Sequence, residues 1–353
     1  MRDVAIIATA QTKHVRAATA LNEVEMIQPV IQDVIERSGV DRHGFDFTCS
    51  GSSDYLAGQP FSFVMTLDAV AAWPPISESH VEMDGAWALY EAWVKIQTGH
   101  ADTALVYSYG KSSPGDLPRV LSRMLDPYYE APLWLTSIDV GALQARAMID
   151  AGLTSEAAMA DIAHRSRTAA GVNNPHAQLT SSAEPSALLA EEYLADPLRR
   201  HDCAPVTDGG VAVVLAAGDR ARELCDRPAW IRGIDHRADG HHLNFRDLTT
   251  SPSTTLAASR AGVADRPVEI AELHACFTHQ EPILRTALGL GDDVEVNPSG
   301  GPLAANPMMA AGLLRLVEVA DRIHTGEVSR GVAHATGGHA LQHNLVAVLE
   351  GEG

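Results

Sequence analysis

The sequence predicts an α/β protein built in stacked layers. Three observations lead there. Short β-prone runs alternate with segments of helical periodicity along most of the chain, as expected of strands covered by helices. The order of these elements in the second part of the chain resembles the order in the first. The length of 353 residues exceeds the roughly 100–200 of one ordinary domain, which favours more than one unit. Hydrophobic residues make up 46% and charged residues 20%, a composition that excludes disordered and fibrous classes.

The first β-prone run is Asp3–Thr9, with Val4, Ile6 and Ile7 β-branched. Leu21–Ser38 reads as an amphipathic helix, because Val24, Ile27, Val30, Ile31, Val34 and Ile35 recur at three- and four-residue steps before Gly39. Phe45–Cys49 is a short strand, Gly85–Thr98 a helix and Asp102–Tyr109 a strand. This alternation implies a largely parallel sheet. From about 110 to 200 the rhythm changes: Pro114, Pro118, Pro127 and Pro132 interrupt it, and two helices follow at about Val140–Ala151 and Ser155–Ala170. This stretch reads as a mostly helical insertion. Val211–Ala216 resumes a strand, Asp219–Cys225 is a short helix, and Arg227-Pro228 marks a boundary between residues 1–226 and 227–353. In the second part, strands are expected at Ala229–Asp235, Val268–His274, Gly331–Ala335 and Asn344–Leu349. Helices are expected at Ser253–Gly262, Pro282–Leu288 and Met308–His324, the last preceded by the glycine-rich turn Asn297–Gly301.

The formal net charge is −19, a field that repels nucleic acid and anionic membrane surfaces. No apolar run reaches the roughly 18–20 residues of a membrane span. The opening residues are too short for a signal-peptide core, so the expectation is a cytoplasmic protein. Its four cysteines, Cys49, Cys203, Cys225 and Cys276, form no C-x-x-C pair, and His241-His242 and the scattered acids show no metal-ligand spacing. No metal and no resident cofactor are therefore assigned.

Four segments, in order, carry a resemblance: Asn173–Leu179 (NNPHAQL), Ala204–Ala217 (APVTDGGVAVVLAA), Glu272–Phe277 (ELHACF) and Asn297–Gly312 (NPSGGPLAANPMMAAG). Together they resemble the thiolase superfamily, and within it the lipid-transfer-protein-type subunits of bacterial steroid side-chain aldolases. The resemblance implies two stacked βαβαβαββ halves in an α-β-α-β-α arrangement, with a loop domain inserted in the first half, and a tight dimer.

The departures from the thiolase pattern shape the functional expectation. The nucleophilic cysteine of a thiolase falls at Glu82, and a carboxylate there cannot form an acyl-thioester intermediate. The histidine of the superfamily's G-H-P segment falls at Asn306, and the paired glycines Gly337-Gly338 follow Ala335-Thr336 instead of a cysteine. Thiolytic or Claisen chemistry is not expected. Retro-aldol cleavage of a β-hydroxyacyl-CoA needs no protein nucleophile; it needs a base, donors for an enolate oxygen and an acid for carbon. The tyrosines that the resemblance implies for the catalytic subunits fall at His274 and Thr336.

The expected function is thus that of a subunit in an aldolase complex cleaving a steroid β-hydroxyacyl-CoA into a short acyl-CoA and a steroid ketone or aldehyde. Two alternatives stand beside it: a non-catalytic subunit completing an active thiolase-like paralogue, and an acyl-CoA or sterol binding module. The resemblance implies as partners that paralogue and a small zinc-containing OB-fold protein associated with acyl-CoA. Catalytic candidates are His274, Asn306 and His339. His274 suits an acid, a base or an oxyanion donor, and equally a structural histidine. Asn306 suits a carbonyl donor or a helix N-cap before Pro307. His334 and His339 flank the paired glycines, and either lines a pocket or packs. Glu82 suits a base or a dipole partner at a helix start. For the CoA thioester, Arg165, Arg167 and Asn174 of the insertion are the phosphate-side candidates, and Ser299 and Gly300 line the thioester channel.

Overall fold

The computed structural model describes residues 2–58 and 60–352; Met1, Gln59 and Gly353 lie outside the described residues. Ten strands form the main sheet: β1 (Val4–Gln11), β2 (Phe47–Gly51), β3 (Glu78–Val81), β4 (Thr103–Gly110), β5 (Gly209–Ala217), β6 (Ala229–Ala238), β7 (Ile270–Leu273), β8 (Glu295–Val296), β9 (Arg330–Gly337) and β10 (His343–Glu350). The principal helices are α1 (Glu23–Ser38), α2 (Gly85–Gln97), α3 (Ser137–Asp150), α4 (Glu156–Asn173), α5 (Pro252–Ala261), α6 (Gln280–Leu288) and α7 (Ala311–Thr325).

The strand order, β8-β7-β9-β10-β6-β1-β5-β4-β2-β3, is an internal repeat made visible. Outward from the centre, one half reads first, fifth, fourth, second, third strand, and the other half reads the same. The halves join through β1 and β6, which share the register pairs Ala5↔Trp230 and Ile6↔Ala229 among the described residues.

The sheet is mixed, which corrects the largely parallel expectation. β2 pairs parallel with β3 and β4, and β7 with β8 and β9. The inner strands β5, β1, β6 and β10 pair antiparallel with each neighbour. The physical reason is plain at β9–β10, where residues 338–342 are too short for a crossover and allow only a hairpin. Strand β3 and the helix Phe63–Val70 were not expected; β3 reads Glu-Ser-His-Val, and neither its composition nor its burial alternates as a typical strand's does.

Burial sorts the layers. α1 packs Ile27, Ile31 and Val34 on one face of the first half, against Ala5, Ile7, Leu105 and Val214. The opposite face, with Val4, Ile6, Val106 and Val213, meets α2 and α7, which also cover Ala333, Leu345 and Ala347 of the second half. α5 and α6 close the outer face of that half over Ala271, Leu273, Val332 and Val346. The result is five layers, α-β-α-β-α, with α2 and α7 as the central one. The insertion between β4 and β5 holds α3 and α4.

α1 starts with a capping box in which Asn22 accepts from Glu25 N and Glu25 accepts from Asn22 N. α7 begins at Ala311, three residues later than expected, with no local side-chain cap. Its first amides are held instead by Asp84, the N-cap of α2.

The turn before α7 runs close to the end of β4. A Cβ added at Gly110 would come within 2.2 Å of Met308 O. Gly110→Ala is therefore expected to destabilise the fold by about 1–3 kcal/mol through overpacking, measurable by urea denaturation. A variant as stable as the parent would contradict that packing.

Candidate functional site

Four loops converge at the ends of the central layer: those following β7 and β9, and those entering α2 and α7. His274 leaves β7, and its N–H donates to His334 O at 3.2 Å. Its Nδ1 accepts the Thr336 N–H at 3.3 Å. The ring is 6% exposed, and burial, followed by the charge of Arg315, depresses its pKa to about 3. A neutral imidazole that accepts at Nδ1 carries its hydrogen on Nε2. His274 is thus a neutral donor, not an acid, at ordinary pH. Asn306 lies beside the ring and weakly opposes the depression, and its Oδ1 makes no well-formed hydrogen bond.

Asn306 is not the N-cap of α7. With Pro307 it pairs parallel to Val206-Thr207, and its N–H donates to Thr207 Oγ1 at 3.1 Å. That pairing, made across the half boundary, leaves its amide buried near His274 instead of at a helix start. Thr336 directs its hydroxyl to His343 O at 2.9 Å.

The other histidines separate from this group. His334 is fully buried and bonded to Asn344 Oδ1 at 2.9 Å, with its pKa pushed down to about 4 by burial. His339 Nε2 lies 3.2 Å from Leu121 O, and Arg246 donates to the His339 carbonyl at 3.0 Å. It ties the β9–β10 loop to the insertion.

Glu82 precedes α2 and keeps 46% of its side chain exposed. Two residues on, Asp84 is buried at 2% exposure and accepts from Ala86 N at 2.9 Å, Gly312 N at 2.8 Å and Leu313 N at 2.9 Å. One carboxylate thereby caps the two central helices, one from each half. Desolvation outweighs these bonds and pushes its pKa up to about 6. Neither Asp84 nor Arg315 was singled out from the sequence. Arg315 donates to Glu272 Oε2 at 2.6 Å and to Ser299 Oγ at 2.9 Å, and Glu272 also accepts from Ser299 N at 2.9 Å.

The CoA candidates divide. Arg165 is half exposed and paired with Glu281. Arg167 is 8% exposed and turned inward, its guanidinium donating to Leu303 O at 3.3 Å and His201 O at 2.9 Å. Asn174 donates to Ser299 O at 3.2 Å. Ser299 is committed to Glu272 and Arg315. Gly300, at φ 86°, backs onto α4, where a Cβ would meet Ala170 Cβ at 2.5 Å and Ser166 O at 2.7 Å. Asn174, Ser299 and Gly300 seat the insertion on the Asn297–Gly301 turn, and Arg167 ties it to Leu303 just beyond; of the five, Arg165 alone keeps a half-exposed side chain. A groove of about 340 Å³ runs past Asn174, lined also by Gln11, Arg37, His176, Glu318 and Asp321 among others. Among the described residues no group of three or more His, Cys, Asp or Glu is placed to hold a metal, and no helix is long and apolar enough to cross a membrane.

The fold with its repeated halves and shared central helix layer is the thiolase fold. The human mitochondrial 3-ketoacyl-CoA thiolase superposes with a TM-score of 0.76 at 14% identity, covering 99% of each chain. The Ltp2-ChsH2(DUF35) aldolase superposes with a TM-score of 0.80 at 20% identity, over 99% of this chain and 97% of that one. In sequence, the chain is similar to the acetyl-CoA acetyltransferase of Methanothermobacter thermautotrophicus, 27% identical over 97% of this chain and 99% of that protein. It is also similar to sterol carrier protein 2 of Gallus gallus, 24% identical over 74% of this chain and 54% of that one. No family model matches the sequence.

Proposed function

We propose that this chain is a thiolase-fold subunit of an aldolase that cleaves a β-hydroxyacyl-CoA and lacks thiolase activity. The observation that carries this reading is that a carboxylate, Glu82, stands at the position the resemblance assigns to a thiolase's nucleophile, while a neutral His274, whose Nδ1 accepts the Thr336 N–H, carries a donor at Nε2. That set cannot make an acyl-enzyme, but it contains a base and an enolate-oxygen donor, which retro-aldol cleavage requires. The likeness to an aldolase in fold, and to sterol carrier protein 2 in sequence, supports the reading and favours a steroid side chain as substrate. The two-component name of that aldolase supports a heteromeric assembly, with a thiolase-like paralogue and a small zinc-containing OB-fold protein as the partners proposed.

A second reading, a structural subunit completing an active paralogue, is favoured by one observation: both positions where the resemblance implies tyrosine hold other residues, His274 and Thr336. The two readings separate on one variant. Under the first, His274→Ala costs the assembled complex roughly 100-fold in cleavage rate. Under the second, the rate stays within about a few-fold, because the chemistry lies in the other subunit.

Loss of thiolase chemistry has its own check. Incubated with acetoacetyl-CoA and CoA, the protein is expected to show no acyl adduct by intact mass. Glu82→Cys is expected to remain inactive as a thiolase, since Asn306 still stands in place of the partner histidine. An acylated parent protein would overturn the assignment.

A further inference from the structure

The Glu82 carboxylate has two polar neighbours. Its Oε1 accepts the Asp54 N–H at 2.7 Å, and its Oε2 lies 3.6 Å from His80 Nε2. The His80 ring is itself fixed. Its Nδ1 lies 3.1 Å from Ser50 Oγ, the residue opposite it in the β2–β3 register. Its face stacks on Phe63, with centroids 4.4 Å and planes 7° apart. The ring keeps 12% of its side chain exposed, against 46% for Glu82. A packed, anchored imidazole therefore backs a presented carboxylate. Ser50, at 2% exposure, is the inner anchor and not a reacting group.

Glu82 is linked to the His274 group through the next residue in the chain. Met83 packs against Gly337, where an added Cβ would come within 2.9 Å of Met83 Cε. Gly337 follows Thr336, whose N–H binds His274.

We propose that Glu82 is the catalytic base of this site and that His80 is its positioning residue, anchored by Ser50 and Phe63. The proposal rests on the aldolase reading. Glu82 takes the proton of the β-hydroxyl. The O–H electrons form the new C=O bond as the Cα–Cβ bond breaks, and that bonding pair becomes the thioester enolate. The enolate oxygen faces the Nε2–H of His274. The carboxylic acid of Glu82 then returns the proton to Cα, which gives the shortened acyl-CoA and regenerates the base. Nothing is oxidised or reduced, and no co-reactant is needed.

The half-reaction is testable without cleavage. Propionyl-CoA in deuterated water is offered to the chain, alone and assembled with its paralogue, and deuterium at the α-carbon is followed by mass spectrometry. The expected result is exchange by the parent, a roughly 100-fold or greater loss in Glu82→Gln, and partial recovery in Glu82→Asp. His80→Phe is expected to lower kcat for exchange about tenfold with KM unchanged; His80→Gln replaces it if the phenylalanine variant does not fold. Exchange by Glu82→Gln at the parent's rate, or no exchange by the parent in either form, overturns the proposal. Exchange without cleavage of a β-hydroxyacyl-CoA would keep the base and its positioning residue and overturn the aldolase reading alone.

Discussion

Replacing Arg315 by methionine is expected to destabilise the protein by about 3–5 kcal/mol. The guanidinium is 2% exposed and Glu272, its partner at 2.6 Å, is fully buried. Removing the cation leaves an uncompensated carboxylate in a dry interior and takes a donor from Ser299. The damage should fall where the turn Asn297–Gly301 meets β7, because Glu272 also holds Ser299 N and Asn297 Oδ1 holds Leu273 N at 2.6 Å. The double variant Arg315→Met, Glu272→Leu should recover part of the loss, since replacing a whole buried pair by apolar residues is often close to neutral. Urea denaturation of the single and double variants checks this. A single variant within about 1 kcal/mol of the parent would show that the pair carries little of the fold.

Asp84 should give the protein an unusual dependence on pH. Its carboxyl is pushed up from an ordinary 3.8 to about 6 by burial, against the three amides and the charge of Arg315, which favour ionisation. A carboxyl whose folded pKa exceeds its unfolded pKa contributes stability that is full below the unfolded value. That contribution is lost as pH rises through the folded value. The stability of the parent relative to Asp84→Asn, which does not titrate, should therefore increase by about 2–3 kcal/mol as pH falls from 7 to 4. Other carboxylates cancel to first order in this difference, since both proteins contain them. A flat or falling difference would mean that the amides of α2 and α7 hold the anion more tightly than burial penalises it.

Much of the scaffold was legible because local patterning and tertiary packing agree. The three- and four-residue spacing in α1 puts Ile27, Ile31 and Val34 in the core, and the β-branched runs of β5 and β10 are buried almost throughout. The start of α7 was misplaced because its cap is not local: the carboxylate at its first amides belongs to a residue 228 positions earlier. Strand β3 was missed because an edge strand contacts the sheet on one side and needs little hydrophobic alternation.

The site was legible to a different depth. Sequence alone places Glu82, Asn306 and Thr336 at positions where a thiolase carries other residues, and segment order suffices for that. Which side chains face one another is another matter. Arg167 has the chemistry of a phosphate ligand, yet the carbonyls of Leu303 and His201, 136 and 34 residues away, draw it inward. His80 carries no signal in its local sequence, and becomes informative only when β2 sets Ser50 on one ring nitrogen and the turn into α2 brings Glu82 to 3.6 Å from the other. Residue identity and local periodicity thus determined the repeated α/β order, and the resemblance set Glu82 at the position expected for a thiolase's nucleophile, because both follow from neighbouring residues. Tertiary structure decided the tautomer of His274, the shared cap at Asp84 and the backing of Glu82. Each depends on desolvation and on hydrogen bonds between segments that only the packed central layer brings together.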